Sequence, residues 1–205
     1  MKKLITLLIF IGIINMANAQ FFAGANLKGG TGMLNYSGNF PKAKFSYGGG
    51  VNFGYELKKH FYFSTGIDYY RINFQLTPLV ARPHYIGYHY DPNYNYGPYT
   101  VSRNYFTLPL EAGYFYQFKN NIRLFADMGL LFSMTDGNVG TLSDNFSAEL
   151  SLGYTGKIGI GYKIKSILLT LAGEYSHMNN IHSFKKHHKP DAYLYGLNIG
   201  LRYYF

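Results

Sequence analysis

At 205 residues the chain suits one domain, and its lack of cysteine excludes both a disulfide framework and a cysteine-linked lipid anchor. With 22 Tyr, 17 Phe, 24 Gly and no Trp it is poor material for amphipathic helices and better suited to strands. The formal charge of +9 is spread over turns, loops and alternate strand positions rather than a basic block. That distribution points away from nucleic acid and towards anionic lipid headgroups.

In chain order the first element is a leader. Lys2 and Lys3 precede the apolar run Leu4 to Ile14, and Ala17-Asn18-Ala19 supplies small residues for a cleavage site. Residues 1–19 therefore read as a cleaved secretory signal peptide. The run covers only about 16 Å as a helix, too little to span a bilayer. Residues 20–205 remain as the domain to be explained.

Eight segments of period-two alternation follow, over 21–35, 43–58, 61–76, 105–118, 122–135, 150–164, 167–180 and 193–205. The last is the clearest. Tyr193, Tyr195, Leu197, Ile199, Leu201, Tyr203 and Phe205 alternate with Leu194, Gly196, Asn198, Gly200, Arg202 and Tyr204. Successive strand residues point to opposite faces, so one face is greasy and the other mainly small or polar. The glycines and charges occupy that second face. A soluble barrel turns its polar face to water, whereas here only lipid or a partner could cover the aromatic rows. Short links at 58–60, 119–121 and 165–166 alternate with longer ones, the longest over 77–104. The expected fold is all-β: a membrane-spanning, antiparallel, up-and-down barrel of eight strands in the outer membrane, with both termini periplasmic.

The alternation sends Glu56, Asp68, Glu111, Asp127 and Glu174 inward with Arg123, Lys157, Lys163 and Arg202. Eight strands enclose only enough room for side chains, so these charges are expected to plug the lumen with ion pairs. In the longest loop Tyr85, Tyr88, Tyr90, Tyr94, Tyr96 and Tyr99 could form a contact surface or pack on the rim. His84, His89, His182, His187 and His188 lack a carboxylate or thiol cluster and read as solvated loop residues, so no metal or other cofactor is expected.

Glu174-Tyr175-Ser176-His177-Met178-Asn179-Asn180 is similar to the His-x-Ser-Asn motif of lipid A deacylase barrels, but Asn179 stands where the nucleophile belongs. An amide cannot be activated by His as a hydroxyl can. Tyr105-Phe106-Thr107-Leu108-Pro109-Leu110-Glu111-Ala112-Gly113-Tyr114 resembles a strand of the Bacteroidetes outer-membrane barrel family, the porin-family or PorT-like group of small barrels of the OmpX/OmpA type. Leu171 to Tyr175 with Asn179-Asn180-Ile181, and the closing Gly200 to Phe205, are similar to that family's last two strands. The final aromatics, Tyr203 and Phe205, resemble the signal read by the outer-membrane assembly machinery. The resemblance carries no shared catalytic residue. It implies a non-enzymatic barrel that serves envelope structure or presents loops to a surface ligand or envelope protein. A narrow porin-like channel is the alternative, and a lipid-modifying hydrolase a third reading.

Overall fold

Each alternating segment has one face that favours lipid over water. Pairing neighbours edge to edge satisfies the backbone while keeping those faces on one side. The computed structural model describes residues 20–35, 42–57, 60–76, 85–86, 89–90, 99–135, 149–180 and 191–205. The strands are β1 (Gln20–Asn35), β2 (Lys42–Leu57), β3 (Phe61–Leu76), β4 (Tyr85–Ile86), β5 (His89–Tyr90), β6 (Tyr99–Gln117), β7 (Ile122–Thr135), β8 (Glu149–Ile164), β9 (Ile167–Asn180) and β10 (Asp191–Tyr204). All but β4 and β5 form a closed antiparallel barrel in the order β1-β10-β9-β8-β7-β6-β3-β2. β4 and β5 pair only with each other, Tyr85 against Tyr90 and Ile86 against His89. The expected signal segment, 1–19, lies outside the described residues.

The ring closes between the first and last strands, in register from Phe22↔Tyr204 to Asn35↔Asp191. Closure leaves the barrel sheet no free edge, which lipid could not hydrogen-bond. The barrel strands run from 14 to 19 residues, beyond the roughly 9–11 a tilted strand needs to cross a bilayer. Midway along the outer wall Leu27, Met128 and Ile158 are 71%, 73% and 72% exposed, the reverse of a soluble core. Aromatic rows flank this band. Phe21, Tyr55, Phe63, Tyr114, Tyr116, Tyr203 and Phe205 lie towards the tight turns, and Tyr47, Tyr69, Phe106, Tyr154 and Tyr195 towards the long connections. Two girdles around an apolar belt are the outer dress of a membrane barrel.

The tight turns share a device. His60 (φ 75°), Asn121 (φ 65°) and Lys165 (φ 52°) each place a non-glycine residue in the left-handed region. In the two-residue link Lys165-Ser166, between the paired Ile164 and Ile167, the positive φ falls on the first residue, as in a type II′ turn.

Two strand features depart from the sequence reading. β6 starts at Tyr99 rather than 105, so the longest connection is 77–98 and Tyr99 belongs to a strand. Along that added stretch the outward positions are Thr100, Ser102 and Asn104, which carry no apolar signal. Ser102 and Asn104 bond to the neighbouring strand. Ser102 Oγ donates to Asn73 Oδ1 at 2.7 Å, and Tyr69 OH donates to Asn104 Oδ1 at 2.7 Å. In the Leu-Pro-Leu stretch, the β3–β6 register runs through Thr65↔Leu110 and resumes at Asp68↔Thr107. Pro109, which has no N–H to give, sits in that gap opposite Gly66.

Candidate functional site: the barrel lumen

Nothing inside an eight-stranded barrel can hide from its neighbours, so the inward rows decide what the molecule can pass or bind. All nine charged residues expected inward face the lumen, and a tenth, Lys28 on β1, stands at their centre. Its Nζ reaches Asp68 Oδ2 at 2.7 Å and Glu174 Oε1 at 2.9 Å, and also bonds Tyr70 OH. Around the same carboxylates, Tyr70 OH donates to Glu174 Oε1 at 2.7 Å and Asn198 Nδ2 to Glu174 Oε2 at 2.6 Å. Asn26 Nδ2 donates to Asp68 Oδ1 at 3.2 Å. A buried ammonium is tolerated only with such compensation.

Two further pairs complete the belt. Lys157 bonds Glu111, and Ser64 Oγ reaches the other carboxylate oxygen at 3.4 Å. Asp127 accepts from Tyr62 OH and lies 3.7 Å from Arg202 Nη2. The Arg202 guanidinium lies over the rings of Tyr62 and Phe22, 4.7 and 5.0 Å from their centroids. Two glycines make the room. A Cβ at Gly50 would meet Asp68 Oδ1 at 1.9 Å, and one at Gly113 would meet the Tyr62 ring at 2.3 Å.

Ion pairs alone do not fill the interior. Towards the tight turns the belt is closed by Phe22, Tyr62, Phe115, Phe125, Leu168, Ala172 and Tyr204. Towards the long connections it is closed by Tyr70, Ile72, Phe74, Tyr105, Leu131, Met178, Ala192 and Leu194. The charged layer is thus held between two apolar clusters. Within the belt a void of about 20 Å³, bordered by Asn26, Asn52, Asp127 and Arg202, has room for roughly one water. At the tight-turn rim Arg123 grips Glu56 through two bonds of 2.6 and 3.2 Å and stacks on Phe115, while Lys163 sits over Tyr204.

In the segment that resembled a hydrolase motif, Asn179 holds the nucleophile position, and strand geometry also separates His177 from the nearby hydroxyl of Ser176. His177 faces outward, stacked on Tyr193 at 4.6 Å, whereas Ser176 faces inward beside Thr155 at 3.1 Å. Neither can act on the other from opposite sides of one strand. Among the described residues no three His, Asp or Glu side chains are arranged to hold a metal. Of the loop positions, Tyr88, Tyr94, Tyr96, His84, His182, His187 and His188 lie outside the described residues, while Tyr85, His89 and Tyr90 are described only through the β4–β5 pairing. Tyr203 and Phe205 face outward with ring centroids 5.2 Å apart, and the Phe205 N–H donates to Phe21 O at 3.0 Å.

A family model described as outer membrane protein beta-barrel domain matches residues 4–205. The chain belongs to that family. Membership places it in the outer membrane. No curated protein matches the sequence. Among solved structures the chain is similar to Neisserial surface protein A, at 14% identity and TM-score 0.58, covering 91% of this chain and 99% of that one. It is also similar to the outer membrane protein OprG of Pseudomonas aeruginosa, at 11% identity and TM-score 0.55, covering 92% and 96%. At such identities the likeness is one of fold.

Proposed function

We propose that this family member is a non-enzymatic, non-conducting barrel that anchors surface loops in the outer membrane, within the Bacteroidetes PorT-like branch that its Leu-Pro-Leu strand resembles. The observation that carries the reading is the filled lumen, a belt of paired charges closed by an apolar cluster at each end. A solute crossing it would have to break buried ion pairs, each costing about 3–5 kcal/mol when one partner is lost. The long connections face the cell exterior and the tight turns and both termini the periplasm, as short periplasmic turns favour. Residues 1–19 act as the export signal, and Tyr203 and Phe205 present the aromatic end to the assembly machinery. The connection 77–98 offers its tyrosines to a surface ligand or envelope partner.

Planar-bilayer recording tests the central statement. The purified barrel is expected to give no steady conductance, and robust ion-selective openings would favour a narrow channel instead. Orientation is read separately by thiol labelling, because the protein has no cysteine of its own. Tyr96→Cys should react with an impermeant reagent on intact cells, and Asn120→Cys only after the outer membrane is opened. The reverse pattern would invert the topology.

A further inference from the structure

Charge inside the lumen is matched throughout the belt, yet one inward cation stands apart. Arg103, near the start of β6 at the long-connection mouth, is 5% exposed, and its Nε and Nη1 are buried with no hydrogen-bond partner. Among the described residues none of the ion pairs includes it, and no hydrogen bond reaches its Nε or Nη1. Burial of the guanidinium there is costly, because the three N–H donors of Nε and Nη1 have left water with no partner in exchange.

The same quarter of the barrel holds other unmet polar groups. Thr107 lies one turn of the alternation beyond Tyr105 on the face that carries Arg103. Thr107 pairs with Ser133 on β7, and Ser133 pairs with Ser151 on β8. All three hydroxyls point inward, are buried, and lack a hydrogen-bond partner. Consecutive strands thus present a row of unpaired hydroxyls across the wall, whose β6 end lies four residues along the same inward face from Arg103. At its inner end the row reaches Asp68, paired with Thr107 and already neutralised by Lys28 at 2.7 Å. That carboxylate therefore does not serve Arg103, and it marks the depth beyond which an anion would be repelled.

We propose that Arg103, with the Thr107–Ser133–Ser151 row, forms a binding site for a small oxyanion entering from the aqueous side at the long-connection mouth. The guanidinium fork supplies paired N–H donors and the charge, as it does for phosphate and carboxylate groups generally. The hydroxyls supply donors to the remaining oxygens or to the waters that solvate them. Tyr105 and Leu131, both buried, keep bulk water from screening the contact. The site lies above the ion-paired belt, so occupancy is compatible with a barrel that does not conduct.

The test uses the full mature chain folded in detergent. Its thermal midpoint is followed as sodium phosphate is raised, with sodium chloride as the control at matched ionic strength. Wild type should show a saturable rise with phosphate and none with chloride, as ligand linkage requires. Arg103→Gln should abolish the rise, and Arg103→Lys should keep a weakened one. Thr107→Val with Ser133→Ala should weaken the apparent affinity about tenfold or more, since each lost hydrogen bond to a charged group weakens binding. If Arg103→Gln does not fold, the hydroxyl variant and the shift of the Arg103 Nε resonance on adding phosphate carry the test. An unsaturable rise, an equal rise with chloride, or an unchanged response in either variant would overturn the site. So would a phosphate-insensitive wild type that gains stability on Arg103→Gln, the behaviour of a merely unpaired charge.

Discussion

At the scale of single residues, Lys28 holds two carboxylates from strands far apart in sequence. Lys28→Met should cost about 3–5 kcal/mol, measured by urea unfolding from detergent or lipid vesicles, because Asp68 and Glu174 are left buried and uncompensated. Adding Asp68→Asn and Glu174→Gln to the same chain should return most of that loss, since the cost lies in the orphaned charge. Lys165 makes a smaller prediction. Its φ of 52° is a strained place for a side chain, so Lys165→Gly should stabilise the barrel by up to about 1 kcal/mol in the same assay. The sequence showed the inward carboxylates plainly, yet Lys28 was not read from it. In β1 the outward row includes Ala23, Ala25 and Gly29, and so little apolar contrast marks the face on which Lys28 lies. The aromatic closures were hidden for the opposite reason. Tyr114, Phe115 and Tyr116 run without alternation, and nothing local says that the middle ring is the buried one.

At the scale of elements, strand positions were legible wherever lipid imposed its period. The one displaced boundary lies where the wall leaves lipid: from Tyr99 to Asn104 the outward side chains are polar, so β6 continues with no apolar signature. The ends of the chain and its longest connection should therefore respond differently to change. Phe205→Asp puts a charge at the end of an outward aromatic row, where Phe205 is 75% exposed, and should lower the yield of inserted barrel. Shortening 77–98 by half should leave that yield unchanged, because halving a connection's length alters its closure cost by only about 0.6 kcal/mol. Both outcomes are read as the folded fraction after dilution from denaturant into lipid vesicles. Loss of folding on shortening would mean that the connection takes part in the barrel ladder.

At the scale of the whole molecule, the outer wall dictates the solvent. Residues 20–205 should fold in detergent or lipid and aggregate in plain buffer, because their broadest apolar surface faces outward. A monodisperse, folded species by light scattering and circular dichroism without detergent would contradict the wall described here. The strand count and the closure of the sheet follow from alternation and from the ban on free edges in lipid. The contents of the lumen do not follow from alternation alone. Which inward residues meet depends on register and tilt, which only the closed sheet defines.

The seam between β1 and β10 gives the assembly a particular order in time. Lys28 and Glu174 are 146 residues apart, and the strands carrying them become near neighbours only when the first strand meets the last. Lys28 can meet Asp68, and Lys157 can meet Glu111, within the open sheet, but the Lys28–Glu174 pair cannot form there. Ring closure and completion of the central charge cluster are therefore a single event. Its contacts join opposite ends of the chain, so it should be the slow step of folding.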